Sequence, residues 1–351
     1  MNYLIPVLLY CVERFHKERS MSAVYYLLKG KKSAQTIQDA VWYGMKKLFS
    51  VYPGLSREDF QKAVALAEQK KWITITGQVA GITEAGRKVS ADLFNRYPLP
   101  GHLDGWTYHD TDNLFWQRLS LIVQTISNWA NDETRFFPVQ RDYLIQNWVK
   151  NWFRKIRLKY TKQQLADAFY EELYRLFAEM ESEELDPNII VYRLTGHKKP
   201  GLTPVQIANL YAWDYVYYYF LFRSYIHFII RKLRLEKQQY PLLYSLARIE
   251  HPRHFLTKSG MKTYQYLKMG YSIEKISRLR KLKRNTIEDH IVEIAITDPN
   301  FSIDPYVLPE LQQKINQTAY RLKTRKLKKI KEALPEADYF SIRLVLSKME
   351  Q

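Results

Sequence analysis

Lys281, Lys283 and Arg284 crowd one short segment, Arg280-Lys281-Leu282-Lys283-Arg284, and Asn285 and Thr286 follow at once. Lys and Arg side chains neutralise phosphate oxygens, and an asparagine in the first turn of a helix can offer its amide to the edge of adenine. A second basic group lies downstream. From Lys314 to Lys331 there are eight Lys/Arg and no Asp or Glu, among them Arg321, Lys323, Arg325, Lys326, Lys328 and Lys329. Leu311, Ile315 and Leu322 give this stretch an apolar edge, so it can pack as a helix while presenting its cations. Each phosphate neutralised by such cations releases a counterion, which makes the binding salt-dependent. The chemistry on offer is capture of an anionic partner, of which nucleic acid is the commonest.

The whole chain agrees in sign. Its 351 residues carry 54 Lys+Arg against 36 Asp+Glu, a net charge of +18 with a pI near 9.6. Residues 251–351 hold 20 Lys/Arg against 11 Asp/Glu, so half of the excess sits in under a third of the chain. An anionic membrane or an acidic protein would also answer this charge.

Catalytic chemistry is poorly represented. There is no HExxH, no Cys-rich metal set and no nucleophile elbow. Gly30-Lys31-Lys32-Ser33 has the end of a phosphate-binding loop, but Tyr25 stands where the first glycine belongs. His251 and His254 are close in sequence, yet nothing nearby completes a metal site. Glu171, Glu172, Glu179, Glu181, Glu183, Glu184 and Asp186 are opposed only by Arg175; without His or Cys among them they read as a solvated face. The sequence predicts no enzyme, no cofactor and no metal. The one cysteine, Cys11, excludes an internal disulfide and fits a cytoplasmic, nucleoid-associated protein. Tyr3 to Val12 has the apolarity of a signal-peptide core but neither a basic start nor a small-residue cleavage site, so it reads as a buried first helix.

The cations need elements to hold them. Thr257 or Ser259 can cap a helix that stops at Gly270, and Ser272 can cap a short second helix with Ile273, Ile276 and Leu279 on one side. A third helix starts near Arg284, with Ile287, Ile291 and Ile294 at spacings of four and three. Two short helices joined by a tight turn, the second polar in its first turn, are the layout of a helix-turn-helix. On a helical wheel the isoleucines face inward and Asn285, Asp289 and Glu293 face outward. Phosphates repel Asp289 and Glu293, and Lys283 occupies a cap position where serine serves better. The pattern therefore predicts backbone or structure-specific contact rather than strong sequence reading.

The chain ahead of this module divides at Tyr97-Pro-Leu-Pro-Gly101, giving expected domains of 1–100, 101–250 and 251–351. Met1 to Lys29 reads as helical, interrupted near Ser20 and closed by Gly30; Ala34 to Phe49 forms a second helix, and Ser56 caps a third. Trp72 to Thr76 then alternates as a strand, Gly77 turns, Ala80 to Thr83 returns, and Thr83 caps a closing helix. This is a winged-helix-like order. Its third helix, Arg57 to Lys71, mixes Glu58, Asp59 and Glu68 with its bases, so DNA contact and protein contact both stay open.

In the middle domain, Tyr143 to Tyr160 interleaves Trp148, Trp152 and Phe153 with Lys150, Arg154, Lys155, Arg157 and Lys159. This is either a stacking platform for single strands or a helix burying its tryptophans. Thr203 to Ile230 reads as one helix, apolar almost all round; Asp214 and Arg223 leave it no uncharged stretch of about 18 residues, so it predicts a buried bundle helix rather than a membrane span. His227 within it reads as a hydrogen-bonded core residue.

Ile276, Leu279 and Leu282, followed by Thr286-Ile287 and His290-Ile291, resemble the helix-turn-helix at the C-terminus of many RecQ-type DNA helicases, and Tyr339 to Leu346 is similar to the end of that module. With the winged-helix-like front, the whole chain resembles the YpbB family of low-GC Gram-positive bacteria. The resemblance implies a mainly α protein with a winged-helix-like N-terminal domain, a helical middle domain and a C-terminal helix-turn-helix with terminal basic helices. It further implies that the chain supplies, as a separate polypeptide, the DNA-binding tail that longer RecQ helicases carry themselves, in replication, recombination or repair. The partners then expected are DNA, bound non-specifically or by its structure, and a RecQ-type helicase, with no membrane. A transcriptional regulator and a protein-interaction scaffold with a basic docking surface are the alternatives.

Overall fold

The computed structural model describes residues 2–248 and 256–349. The predicted boundary at 250/251 and the pair His251 and His254 lie outside the described residues. Those described form nineteen α-helices and a single two-stranded sheet, the mainly α architecture expected. The chain divides into two compact units, one of Met1–Val7 with Val89–Pro252, the other of Leu8–Lys88 with Arg253–Gln351. The N-terminal segment and the C-terminal helices thus share one unit.

Helix α1 (Leu4–Arg14) buries apolar side chains on most of its circumference, Cys11 among them, and burial pushes the Cys11 thiol up to about 12. His16 and Lys17 follow in the left-handed region, at φ 47° and 59°, and break the helix before α2 (Met21–Lys29). Gly30 ends α2 at φ 70°, and a Cβ there would stand 2.2 Å from Ser50 Cβ. Ser33 caps α3 (Ala34–Trp42), which is buried along nearly its whole length. The helix predicted to Phe49 stops short: Gly44 turns left-handed at φ 64°, and Lys46–Leu48 adds only one 3-10 turn.

Ser56 Oγ accepts from the Asp59 N–H at 2.9 Å and starts α4 (Arg57–Gln69). Strands β1 (Ile73–Thr76) and β2 (Val79–Ile82) pair antiparallel, with Ile73 opposite Ile82. Thr83 Oγ1 donates to the Lys71 carbonyl at 2.7 Å and accepts from the Gly86 N–H at 3.1 Å, which joins the hairpin to α5 (Glu84–Arg96). A Cβ on Gly86 would lie 2.1 Å from the Trp72 carbonyl oxygen. Gly86→Ala is therefore expected to cost about 1–3 kcal/mol by forcing helix and hairpin apart. Urea denaturation checks it, and an unmoved midpoint would show that the backbone yields without strain.

The middle helices are α6 (Gly105–Tyr108), α7 (Asp112–Ala130), α8 (Tyr143–Ile156), α9 (Lys162–Ser182), α10 (Asn188–Val191), α11 (Pro204–Leu210), α12 (Tyr215–Leu235) and α13 (Pro241–Ala247). The one helix predicted over 203–230 is two. Ala212 takes φ 53°, and the Asp214 carboxylate caps a fresh start by accepting from the Val216 and Tyr217 N–H groups. Helix α12 is the core of this unit, packed against α7, α10, α11 and α13. Asp112 on α7 accepts from the buried Arg223 and, at 3.0 Å, from Nε2 of His227, whose Nδ1 accepts from the Asp104 N–H.

Two expectations for this unit resolve in the packing. The tryptophans of α8 belong to the core: Trp152 is buried and donates to Ser245 Oγ at 2.7 Å, and the Arg118 guanidinium lies 3.8 Å from the Trp148 ring centre. The acidic run is not wholly a solvated face. Glu172 is buried and accepts from the Leu242 and Leu243 N–H groups at 3.0 and 2.9 Å, filling the open donors at the start of α13. Among the described residues no helix is long and apolar enough to cross a membrane.

The C-terminal helices are α14 (Lys258–Lys268), α15 (Ile273–Arg280), α16 (Arg284–Thr297), α17 (Pro309–Leu322), α18 (Leu327–Ala333) and α19 (Tyr339–Lys348). Helix α16 is the hub, in contact with α14, α15, α19 and, from the N-terminal segment, α3. Helices α17 and α18 pack on α19.

Candidate nucleic-acid interface

The helix-turn-helix is built by local capping. Thr257 is the residue that caps α14, its Oγ1 accepting from the Gly260 N–H at 2.8 Å. The chain reverses at Gly270 with φ 76°, and Ser272 Oγ accepts from the Lys275 N–H at 3.2 Å to start α15. Ile273 and Ile276 are buried against α16. Lys281 then adopts the left-handed conformation at φ 51° and turns the chain into α16, where Lys283 sits at the cap position without a side-chain bond. Arg280 does not face outward: its guanidinium donates to the Ser259 carbonyl and hydroxyl, each at 2.8 Å, and to Thr263, fastening α15 to α14.

The outward face predicted for α16 is corrected at Glu293. It is buried, and its carboxylate accepts from the Thr257 N–H and, at 3.1 Å, from the Thr257 hydroxyl. Asp289 is half-buried and accepts from Arg343 of α19 at 2.6 Å. The reason is the company α16 keeps: α3 and α19 cover the turns that a free recognition helix would lay in a major groove. Full exposure is confined to Arg284 and Asn285 in the first turn; Thr286, Glu288 and Asp289 are half-buried, and the helix from His290 to Ala295 is buried.

The second basic group is also rearranged. The helix predicted through Lys314–Lys331 breaks at Lys323, which takes φ 46° and ends α17. Arg321, Lys323, Lys328 and Lys329 are exposed, whereas Arg325 and Lys326 are half-buried against the N-terminal segment. Thr324 donates to Glu18, and Lys326 Nζ donates to the Lys17 carbonyl at 3.4 Å. The predicted site residues thus form two groups, at the α15–α16 turn and at the α17–α18 turn, on helices that have α19 as a common neighbour.

With this geometry in hand, comparison with known proteins is informative. A helix-turn-helix domain family matches residues 259–346, which span α14 to α19. Protein YpbB of Bacillus subtilis (strain 168) is 34% identical over 355 residues, covering 100% of this chain and 99% of its own length. The chain belongs to the YpbB family. No solved structure matches it. For this member of the family, the helix-turn-helix domain points to DNA binding, and the name of its relative adds no chemistry.

Electrostatics separates the family member's cations into two kinds. Arg284 is tethered: Glu288 at 2.8 Å and Glu274 both accept from its guanidinium, raising its pKa through those bonds and offsetting its charge. Lys281 and Lys283 are exposed and make no ion pair among the described residues. His290 is held neutral, since burial and the neighbouring Arg280 lower its pKa. The residues that sequence reasoning missed are in the N-terminal segment, where Arg14, Lys17 and Tyr43 come beside the α17–α18 turn across some 300 positions of chain. No local pattern could have paired them.

Glu293 supplies a pH test of this arrangement. Burial raises its pKa despite the Thr257 bonds, so its folded form binds a proton more tightly than its unfolded form, whose pKa is about 4.3. The stabilisation is fully present below that value and is lost as pH rises through the folded pKa. Glu293→Gln keeps an acceptor and removes the charge. Its stability relative to the parent is expected to improve from pH 4 to pH 7, about those two values, in denaturant titrations. A difference that ignores pH would mean Glu293 is not held as the geometry has it.

Proposed function

We propose that the protein is a non-catalytic DNA-binding accessory factor that holds DNA mainly through its phosphates and works beside a RecQ-type helicase in replication, recombination or repair. The observation that carries the reading is the burial of α16: the domain exposes cations at two turns, while Arg284 and Asn285 are the only fully exposed residues on that helix. Lys281, Lys283 and Arg284 would take phosphates at the start of α16, with Asn285 the one side chain placed to meet a base edge. Arg321, Lys323, Arg325, Lys326, Lys328 and Lys329 would extend the footprint along the backbone. An operator-reading regulator is disfavoured because such readers lay a helix face in the major groove.

The helicase partnership is supported by the resemblance of residues 275–346 to the terminal module of RecQ-type helicases. The test is a pull-down at low salt with the RecQ-type helicase of the same organism, together with an unwinding assay. The expected result is association and a changed unwinding rate. No association and an unaltered rate would remove the helicase from the reading, while failure to bind mixed-sequence duplex would remove DNA.

A further inference from the structure

Beside the α17–α18 turn lies a cavity of about 550 Å³ whose walls include Arg14, Trp42, Tyr43, Tyr320, Lys323 and Arg325. Clefts of this size commonly hold a small organic ligand. Trp42 is only 3% exposed, yet its indole N–H has no hydrogen-bond partner among the described residues, and neither has Nη1 of Arg325. A buried donor left without an acceptor is costly, but both atoms are closed off from the cavity, so what a ligand meets there is the cations and rings of the lining. Arg14, Lys323 and Arg325 ask that it bring negative charge. Among the described residues the acid of the cavity is Glu18, which is already engaged: it accepts from the Tyr43 hydroxyl at 2.8 Å and from Thr324.

The aromatic wall narrows the class further. Tyr320 lines the cavity while remaining 82% exposed, a ring with a face to offer. Base stacking on such a ring is indifferent to sequence. Inorganic phosphate would satisfy the cations and leave the rings unused; a neutral aromatic would do the reverse.

We propose that this cavity receives one deoxynucleotide, its phosphate held by Lys323 and Arg325 and its base stacked on Tyr320. The nucleotide is free or stands at the 5′ end of a DNA strand; the second source rests on the DNA-binding reading above. The full-length protein is titrated calorimetrically with dTMP, inorganic phosphate and thymidine. The expected result is saturable dTMP binding at least about tenfold tighter than either fragment. Tyr320→Ala and Lys323→Gln, both at exposed positions, should each weaken dTMP by about threefold or more while the proteins still melt cooperatively.

Absence of saturable dTMP binding, or binding that both variants leave intact, overturns the proposal. Displacement of a 5′-phosphorylated oligonucleotide by dTMP assigns the strand end as the source, and dTMP binding without displacement assigns the free nucleotide. A protein that binds dTMP but no DNA keeps the cavity and loses the function proposed above. One that binds DNA but not dTMP does the opposite.

Discussion

Replacing Arg321, Lys323, Lys328 and Lys329 together by glutamine is expected to weaken duplex binding about 100-fold at low salt and to flatten its salt dependence by a slope of about 3 to 4. The four side chains are exposed around the α17–α18 turn, so the substitution removes charge without opening the core. Of the four, Lys328 alone makes an ion pair among the described residues, with Glu332 at 3.9 Å, too loose a pair on an exposed helix to neutralise it. Each phosphate that no longer meets a cation takes close to one unit off the logarithmic salt slope. Arg284→Gln supplies the contrast. Its guanidinium already answers Glu274 and Glu288, so the expected change in slope is well below that of one fully neutralised phosphate, about one unit. Anisotropy titrations of a mixed-sequence duplex across a salt series read both. An unchanged slope in the fourfold variant would show that this turn does not lie on DNA.

Asp112→Ala is expected to destabilise the middle unit by about 3–5 kcal/mol, the largest single effect expected there. Asp112 is buried on α7 and is the acceptor for both Arg223 and His227 of α12. Its removal strands a guanidinium in an apolar core. The pH dependence follows from the same cluster. Burial pushes the Asp112 carboxyl up, but Arg223 and the bonds from His227 and Asn113 outweigh it and hold the group below the usual carboxylate range.

His227 is lowered as well, chiefly by burial. Both groups therefore bind protons less readily folded than unfolded, and the stability they contribute is present above the unfolded values and lost as pH falls through the folded ones. For His227 the decline begins near pH 6.5, and for Asp112 near pH 3.9, about the ordinary values of the two side chains. Hydrogen exchange on α7 and α12 localises the loss, and a change below about 1 kcal/mol for Asp112→Ala would mean that Arg223 is not left stranded in the core.

Much of this molecule was legible because the signals are local. Ser56, Thr83 and Ser272 each accept from an N–H three residues on at the start of the helix that follows, and a cap needs no distant partner. The hairpin Ile73–Ile82 follows from alternation around a glycine turn, and the spacing of Ile287, Ile291 and Ile294 marks the buried side of α16. Net charge and its concentration in the last third are properties of composition alone.

The sequence by itself thus determined a mainly α chain, the helices of the helix-turn-helix and the sign of the charge it offers a partner. Which side chains are available to that partner was decided only by tertiary structure. Glu293 on a helical wheel and Glu172 within an acidic run both read as solvated, yet each is buried and accepts from N–H groups 36 and about 70 positions away. Helix α16 has an exposed face on paper, but α3, some 250 residues earlier in the chain, closes over it. Thr324 meets Glu18 across 306 positions, and the cavity beside them takes its aromatic walls from both ends of the sequence. A wheel or a charge count records what a residue is next to along one helix; burial and pairing depend on what the folded chain brings against it.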